Sequence, residues 1–213
     1  AEAIPLFGFY LQPAVGGRRL SYTFWREFAE IPQVVAIKVA PFDRYATYDV
    51  VRALADAGRD DIALYTGNDD AIVPDLVTDI PVTSGGRAYT RHFVGGLLGQ
   101  WAVWTHRAVA MLGEIREWRA RGADAVPRSW LARGAALTMA NATIFDAAHG
   151  YTGCLPGILE VLRLQGLVRG TWTFDTHEQL SPGQADAIAR LSDQYPDLVD
   201  DEFVAENLDS WLR

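Results

Sequence analysis

The stretch QVVAIKVAPF, residues 33–42, decides the fold class of this chain, because it is continuously apolar and β-branched apart from one charge, Lys38. A run of this kind is typical of a strand that is covered on both faces, as in a parallel sheet. Further apolar runs and segments of helical period alternate around it, at 4–11, 20–30, 47–57 and 61–66. The alternation of buried strands with helices predicts parallel βαβ units.

The rest of the chain departs from this alternation and then becomes helical. Residues 80–93 contain the turn SGG and predict a β-hairpin, and FVGGLLG at 93–99 predicts a fourth strand. Helices are predicted at 100–121, 127–148, 155–164, 181–195 and 200–212, the fourth of them with Ser181 as its N-cap. The predicted organisation is therefore an α/β region over 1–100 followed by a helical region over 101–213.

Composition excludes several classes of protein. With 49% hydrophobic and 22% charged residues, the 213-residue chain is expected to be globular. A net charge of −8 disfavours binding to nucleic acid, and no apolar stretch is long enough to span a membrane. One cysteine, Cys154, cannot form an internal disulfide, and no Cys/His cluster has the spacing of a metal site. A cytoplasmic protein without a metal is expected.

Lys38 is the first candidate for chemistry, since it is the only lysine among nineteen basic residues. Burial in an apolar strand lowers the pKa of an amine, and a neutral amine attacks a carbonyl carbon to form a Schiff base. The alternative is a lysine whose ammonium group reaches water, or a carboxylate such as Asp43 or Asp69.

Two further candidates lie at the ends of the neighbouring strands. Tyr10 ends the first strand, and side chains at the carboxyl ends of adjacent parallel strands converge in α/β barrels. Its hydroxyl could therefore relay protons near Lys38, or it could simply point into water. The segment from Gly67 to Asp70 follows the third strand and could cradle a carboxylate or phosphate. Its alternative role is to cap the next helix, with Asn68 or Asp69 as the N-cap.

Together these motifs resemble the family of dihydrodipicolinate synthase and N-acetylneuraminate lyase. Tyr10 begins a tyrosine–x–x–proline segment, and Lys38 follows it by 28 residues on the next strand, as in that family. The segments that resemble those of the family are Tyr10-Leu11-Gln12-Pro13 with Gly17, Ile37-Lys38, Thr66-Gly67-Asn68-Asp69-Asp70 and Gly96-Leu97-Leu98. They cover roughly residues 4–120 in the family's order.

The resemblance implies a (β/α)8 TIM barrel, of which this chain holds strands 5–8 and the C-terminal helices. It implies a lyase or aldolase in which Lys38 forms a Schiff base with pyruvate or a related 2-oxo acid, and an aldehyde is released or condensed. Tyr10 would relay protons, and Gly67 and Leu98 would line the substrate pocket. No cofactor is implied, and a homo-oligomer is expected.

The sequence also departs from the family pattern. It lacks the first four strands, including the loop that would bind the substrate carboxylate, so we expect a fragment or a half that needs a partner. Val15 stands where dihydrodipicolinate synthases have an arginine for the second substrate. The alternatives are a non-catalytic half-barrel that serves as a binding or assembly module, and a sugar-phosphate-binding barrel without covalent chemistry.

Overall fold

The computed structural model describes residues 4–97, 99–122 and 125–213. The chain divides between residues 98 and 99 into two compact units. Within the described residues, every helix is too short or too polar to cross a bilayer.

The first unit is a mixed α/β structure built on a parallel sheet, which confirms the α/β prediction at this level. Its strands and helices are β1 (Leu6–Leu11), α1 (Tyr22–Phe28), β2 (Val34–Ala40), α2 (Arg44–Asp56), β3 (Ala63–Thr66), α3 (Ile72–Val77), β4 (Ile80–Ser84), β5 (Arg87–Arg91) and β6 (Gly95–Gly96). Four strands pair in parallel in the order β1-β2-β3-β6. Strands β4 and β5 form the separate antiparallel hairpin that the SGG turn predicts.

Local side chains set the helix boundaries in this unit. Helix α2 begins at Arg44 rather than at residue 47, because the Asp43 carboxylate accepts a hydrogen bond from the backbone N–H of Ala46 at 3.1 Å. The Ser21 hydroxyl accepts from the N–H of Phe24 at the start of α1 in the same way. Each cap satisfies a backbone donor that has no partner within its own helix.

The two faces of the parallel sheet have different surroundings. On the helix-covered face, a Cβ atom added to Gly8 would lie 2.8 Å from the ring of Phe28 in α1, and Ile37 is fully buried. The opposite face, here named the open face, carries Phe7, Phe9, Lys38 and Tyr65. Phe7 is 48% exposed and Phe9 is 46% exposed, although both lie on an otherwise apolar strand. The open face is thus an aromatic surface that water reaches.

The second unit contains the predicted helices with altered limits, at α4 (Thr105–Ala120), α5 (Arg128–Ile144), α6 (Cys154–Leu164), α7 (Gln184–Ala189), α8 (Leu191–Gln194) and α9 (Asp201–Trp211). The prediction of a single helix at 181–195 is wrong, since this segment contains the two short helices α7 and α8. Ser181 does not cap α7, because its hydroxyl donates to the buried carboxylate of Asp146 at 2.6 Å and Gly183 precedes the helix instead.

Candidate functional site

Lys38 lies on β2, between Phe9 of β1 and Tyr65 of β3 in the strand register. Its Nζ is 4.3 Å from the centroid of the Phe9 ring, so that the ammonium group faces an aromatic π-surface. The side chain is half-buried, and this burial lowers the pKa of the amine, while the charge of Asp69 acts in the opposite direction. The structure thus gives Lys38 the partly desolvated amine that a Schiff-base nucleophile needs.

Gly67 follows β3 directly and lies beside the Lys38 side chain. Its N–H donates to the carbonyl of Val39 at 2.8 Å, which continues the pairing of β2 with β3. A Cβ atom at position 67 would lie 2.7 Å from Cε of Lys38 and 2.8 Å from Cβ of Ala40. Glycine is therefore required for the Lys38 side chain to occupy its observed position.

Asp69 supplies the second ionisable group of the site. It is only 6% exposed, and burial raises the pKa of its carboxyl to about 7, while Lys38 lowers it and Asp70 raises it further. Helix α3 begins at Ile72 with Ala71 as its N-cap, so neither Asn68 nor Asp69 has the capping role considered from the sequence. At neutral pH the Asp69 carboxyl is present in both its protonated and its ionised form.

Tyr10 is not brought together with Lys38, contrary to the predicted convergence. Phe9 shares the open face with Lys38, so the next residue along β1 points to the helix-covered face. Tyr10 is 2% exposed, its ring lies 5.2 Å from that of Trp25, and its hydroxyl donates to the carbonyl of Leu20 at 3.1 Å. The same hydroxyl accepts from the N–H of Leu20 at 3.3 Å. In this structure the Tyr10 hydroxyl therefore anchors the backbone at Leu20, in the segment between β1 and α1.

Two other positions singled out in the sequence are Leu98 and Val15. Leu98, predicted to line the pocket, lies outside the described residues. Val15 lies in the short 3₁₀ turn Pro13–Val15, directly after the strand that contains Tyr10.

Sequence reasoning missed Asp75, whose carboxylate is completely buried beneath the turn that contains Gly67. It accepts a hydrogen bond from the hydroxyl of Thr66 at 2.6 Å. The available signal was an acidic residue within IVPDLV, an otherwise apolar helix, because a carboxylate is rarely buried without partners.

The arrangement combines an amine of lowered pKa with a carboxyl group that titrates near neutral pH. Among residues 4–97, 99–122 and 125–213, no group of three His, Cys, Asp or Glu side chains is positioned to hold a metal ion. Nucleophilic attack and proton transfer are the reactions that the two side chains can support themselves. No protein-family model matches the chain, and no curated protein matches it either.

Proposed function

We propose that this chain is part of a Schiff-base lyase that resembles the family of dihydrodipicolinate synthase and N-acetylneuraminate lyase. One observation carries the proposal: Lys38, the only lysine, is half-buried on the open face, and burial lowers the pKa of its amine. A lysine with only a structural role would gain from remaining charged and hydrated, whereas a nucleophile must be neutral. The proposed substrates are pyruvate or a related 2-oxo acid and an aldehyde.

The chemistry needs only the amine, the substrate and proton transfers. The neutral Nζ of Lys38 attacks the keto carbon, a C–N bond forms, and the carbonyl oxygen takes up a proton to give a carbinolamine. Loss of that hydroxyl group as water gives an iminium ion. The iminium nitrogen accepts the electron pair released when the bond between the α carbon and the hydroxyl-bearing carbon beyond it breaks. That hydroxyl group gives its proton to a base and becomes the carbonyl of the departing aldehyde, an enamine remains on Lys38, and condensation is the reverse. Protonation of the enamine carbon and addition of water then release the 2-oxo acid.

Asp69 is the group to which we assign proton transfer in the structure as it stands. A carboxyl with a pKa of about 7 can donate a proton to the departing hydroxyl group and later recover it at neutral pH. The resemblance assigns this relay to Tyr10, whose hydroxyl would first have to leave its hydrogen bonds to Leu20. Tyr10 therefore stays in the proposal as the family's relay, and Asp69 is the alternative, supported by its pKa of about 7 and its charge interaction with Lys38.

The proposal includes the fold of half a (β/α)8 barrel. Strand order β1-β2-β3-β6 follows the order along the chain without reversal, as in a barrel, whereas a doubly wound sheet reverses at a switch point. In a closed barrel the exposed rings of Phe7 and Phe9 would be packed in the interior. A cytoplasmic homo-oligomer is part of the same proposal.

A second candidate is a binding or assembly module without catalysis. It is favoured by the open face itself, since half-exposed Phe7 and Phe9 offer a large aromatic surface for association. In that case Lys38 would contribute cation–π packing with Phe9 and no covalent chemistry.

The decisive experiment is reductive trapping on the full-length product of the reading frame. The protein is incubated with pyruvate and borohydride and mapped by mass spectrometry, with Lys38→Arg as the matched control because it keeps the charge. We expect one adduct on the Lys38 peptide and none in the variant. If folded protein stays unlabelled with a panel of 2-oxo acids, the lyase proposal fails, and concentration-dependent association would then favour the assembly module.

A further inference from the structure

A buried polar network lies behind the turn that confines Lys38, and Asp75 of α3 is at its centre. One carboxylate oxygen, Oδ2, accepts from the hydroxyl of Thr66 at 2.6 Å and from Nδ2 of Asn68 at 3.1 Å. The other, Oδ1, accepts from Nη1 of Arg44 at 2.5 Å. The Asp75 side chain has no exposed surface, so its bonds from Thr66 and Asn68 are shielded from water and from salt, whereas the Arg44 side chain is 38% exposed.

The network also reaches the segment that follows β2, the strand of Lys38. Oδ1 of Asn68 accepts from the backbone N–H of Phe42 at 3.1 Å, and Nδ2 of Asn68 donates to the hydroxyl of Thr47 at 3.1 Å. Phe42 has a φ of 52°, a left-handed conformation that costs a non-glycine residue about 1 kcal/mol or more unless its surroundings hold it. Asn68 thus ties the ends of β2 and β3 to each other.

The residues held by Asp75 are the two that flank Gly67. The Thr66 hydroxyl, besides donating to Asp75, accepts from the N–H of Asn68 at 3.2 Å, so the backbone of this turn is fixed on both sides of the glycine. A Cβ atom at Gly67 would lie 2.7 Å from Cε of Lys38, so the lysine side chain passes close to the backbone of this turn. A shift of this turn would therefore change the packing of the backbone at Gly67 against the Lys38 side chain.

We propose that Asp75, acting through Thr66 and Asn68, is a positioning residue for Lys38: it holds Gly67 against the lysine side chain and keeps the amine shielded from water. The inference rests on the proposed function, in which Lys38 is the nucleophile, and deepens it. The charged groups around the amine and this network are Asp69, Asp70, Asp75 and Arg44.

The test measures how Lys38 reacts, independently of any substrate. Full-length protein is treated with trace acetic anhydride between pH 6 and 11, and acetylation is quantified on the Lys38 peptide, which separates it from the N-terminal amine. Thr66→Val removes the hydroxyl at nearly constant shape, Thr66→Ser restores it, and Asp75→Asn removes the charge. Thr138→Val is the matched control, because it makes the same change in α5 of the second unit, where the Thr138 hydroxyl donates to the carbonyl of Gly134.

We expect Thr66→Val and Asp75→Asn to admit water to the amine, so that the acetylation midpoint rises and the rate at pH 8 falls about threefold or more. Thr66→Ser and Thr138→Val should retain the wild-type profile. An unchanged profile in folded Thr66→Val, or an equal shift in Thr138→Val, would overturn the inference. Borohydride trapping of the wild type tests the proposed function separately: if trapping fails while the acetylation shift occurs, Lys38 is positioned but is not a Schiff-base residue.

Discussion

The buried carboxyl of Asp69 should make the stability of the first unit depend on pH in an unusual direction. The pKa rises from 3.8 to about 7 on folding, so the folded state binds more protons than the unfolded state between these values. Stability is therefore expected to fall as pH rises from about 4 to 7, and to stay reduced above that. A difference of about 3 pKa units at about 1.4 kcal/mol each gives an effect of about 4 kcal/mol.

Asp69→Asn removes this titration and is expected to be more stable than the wild type at pH 8, but not at pH 4. Because the chain has two units, urea unfolding is best followed by hydrogen exchange of peptides from β2 and β3, which report on the first unit. Asp79→Asn is the control, because Asp79 is an exposed carboxylate of the same unit. Asp70→Asn would not serve, since burial raises the pKa of Asp70 too and its charge raises that of Asp69. Parallel stability curves for wild type and Asp69→Asn from pH 4 to 8 would refute the argument.

Four further predictions concern single substitutions. Gly67→Ala should lower the free energy of unfolding by about 1–3 kcal/mol and slow acetylation of Lys38, because its Cβ meets Ala40 and the lysine stem. Gly113→Ala, with open space around it, should instead stabilise α4 by about 0.5–1 kcal/mol in the same urea titration. Tyr10→Phe should lower the free energy of unfolding by about 1 kcal/mol, because the backbone of Leu20 loses both of its hydrogen bonds to the tyrosine hydroxyl. A loss in kcat of ~10²–10⁴ at wild-type stability would instead support the role of Tyr10 as a proton relay. Burial alone would raise the pKa of Asp146, but hydrogen bonds from Ser181 and His149 hold it below its usual range. The ionised Asp146 carboxylate should therefore contribute fully to the free energy of unfolding above about pH 4, and this contribution should be lost at lower pH. Asp146→Asn should remove this part of the dependence of the unfolding free energy on pH.

The alternation of strands and helices, and with it the parallel order of successive strands, can be predicted from the sequence. Apolar β-branched runs separated by helical segments must bury both faces, and consecutive βαβ units place successive strands side by side. Strand β3 accordingly pairs with β2, the strand of Lys38, and a Cβ atom at Gly67 would lie 2.7 Å from Cε of that lysine. The hairpin at 80–93 was equally predictable, since Gly85 and Gly86 adopt the positive φ angles that its turn requires.

Tertiary structure alone decided which side chains share the open face with Lys38. Because Tyr10 lies at the end of β1, the sequence places it near the correct edge of the sheet. In the observed register Phe9 lies opposite Lys38, so the Tyr10 side chain points to the other face, toward Trp25. A register shift of one residue would exchange the faces of Phe9 and Tyr10. Asp75 and Ser181 illustrate the same point, because their partners Thr66 and Asp146 are chosen by packing rather than by proximity in a local motif. Periodicity and propensity act within a few residues, whereas register and buried hydrogen bonds depend on segments that meet only when the chain has folded.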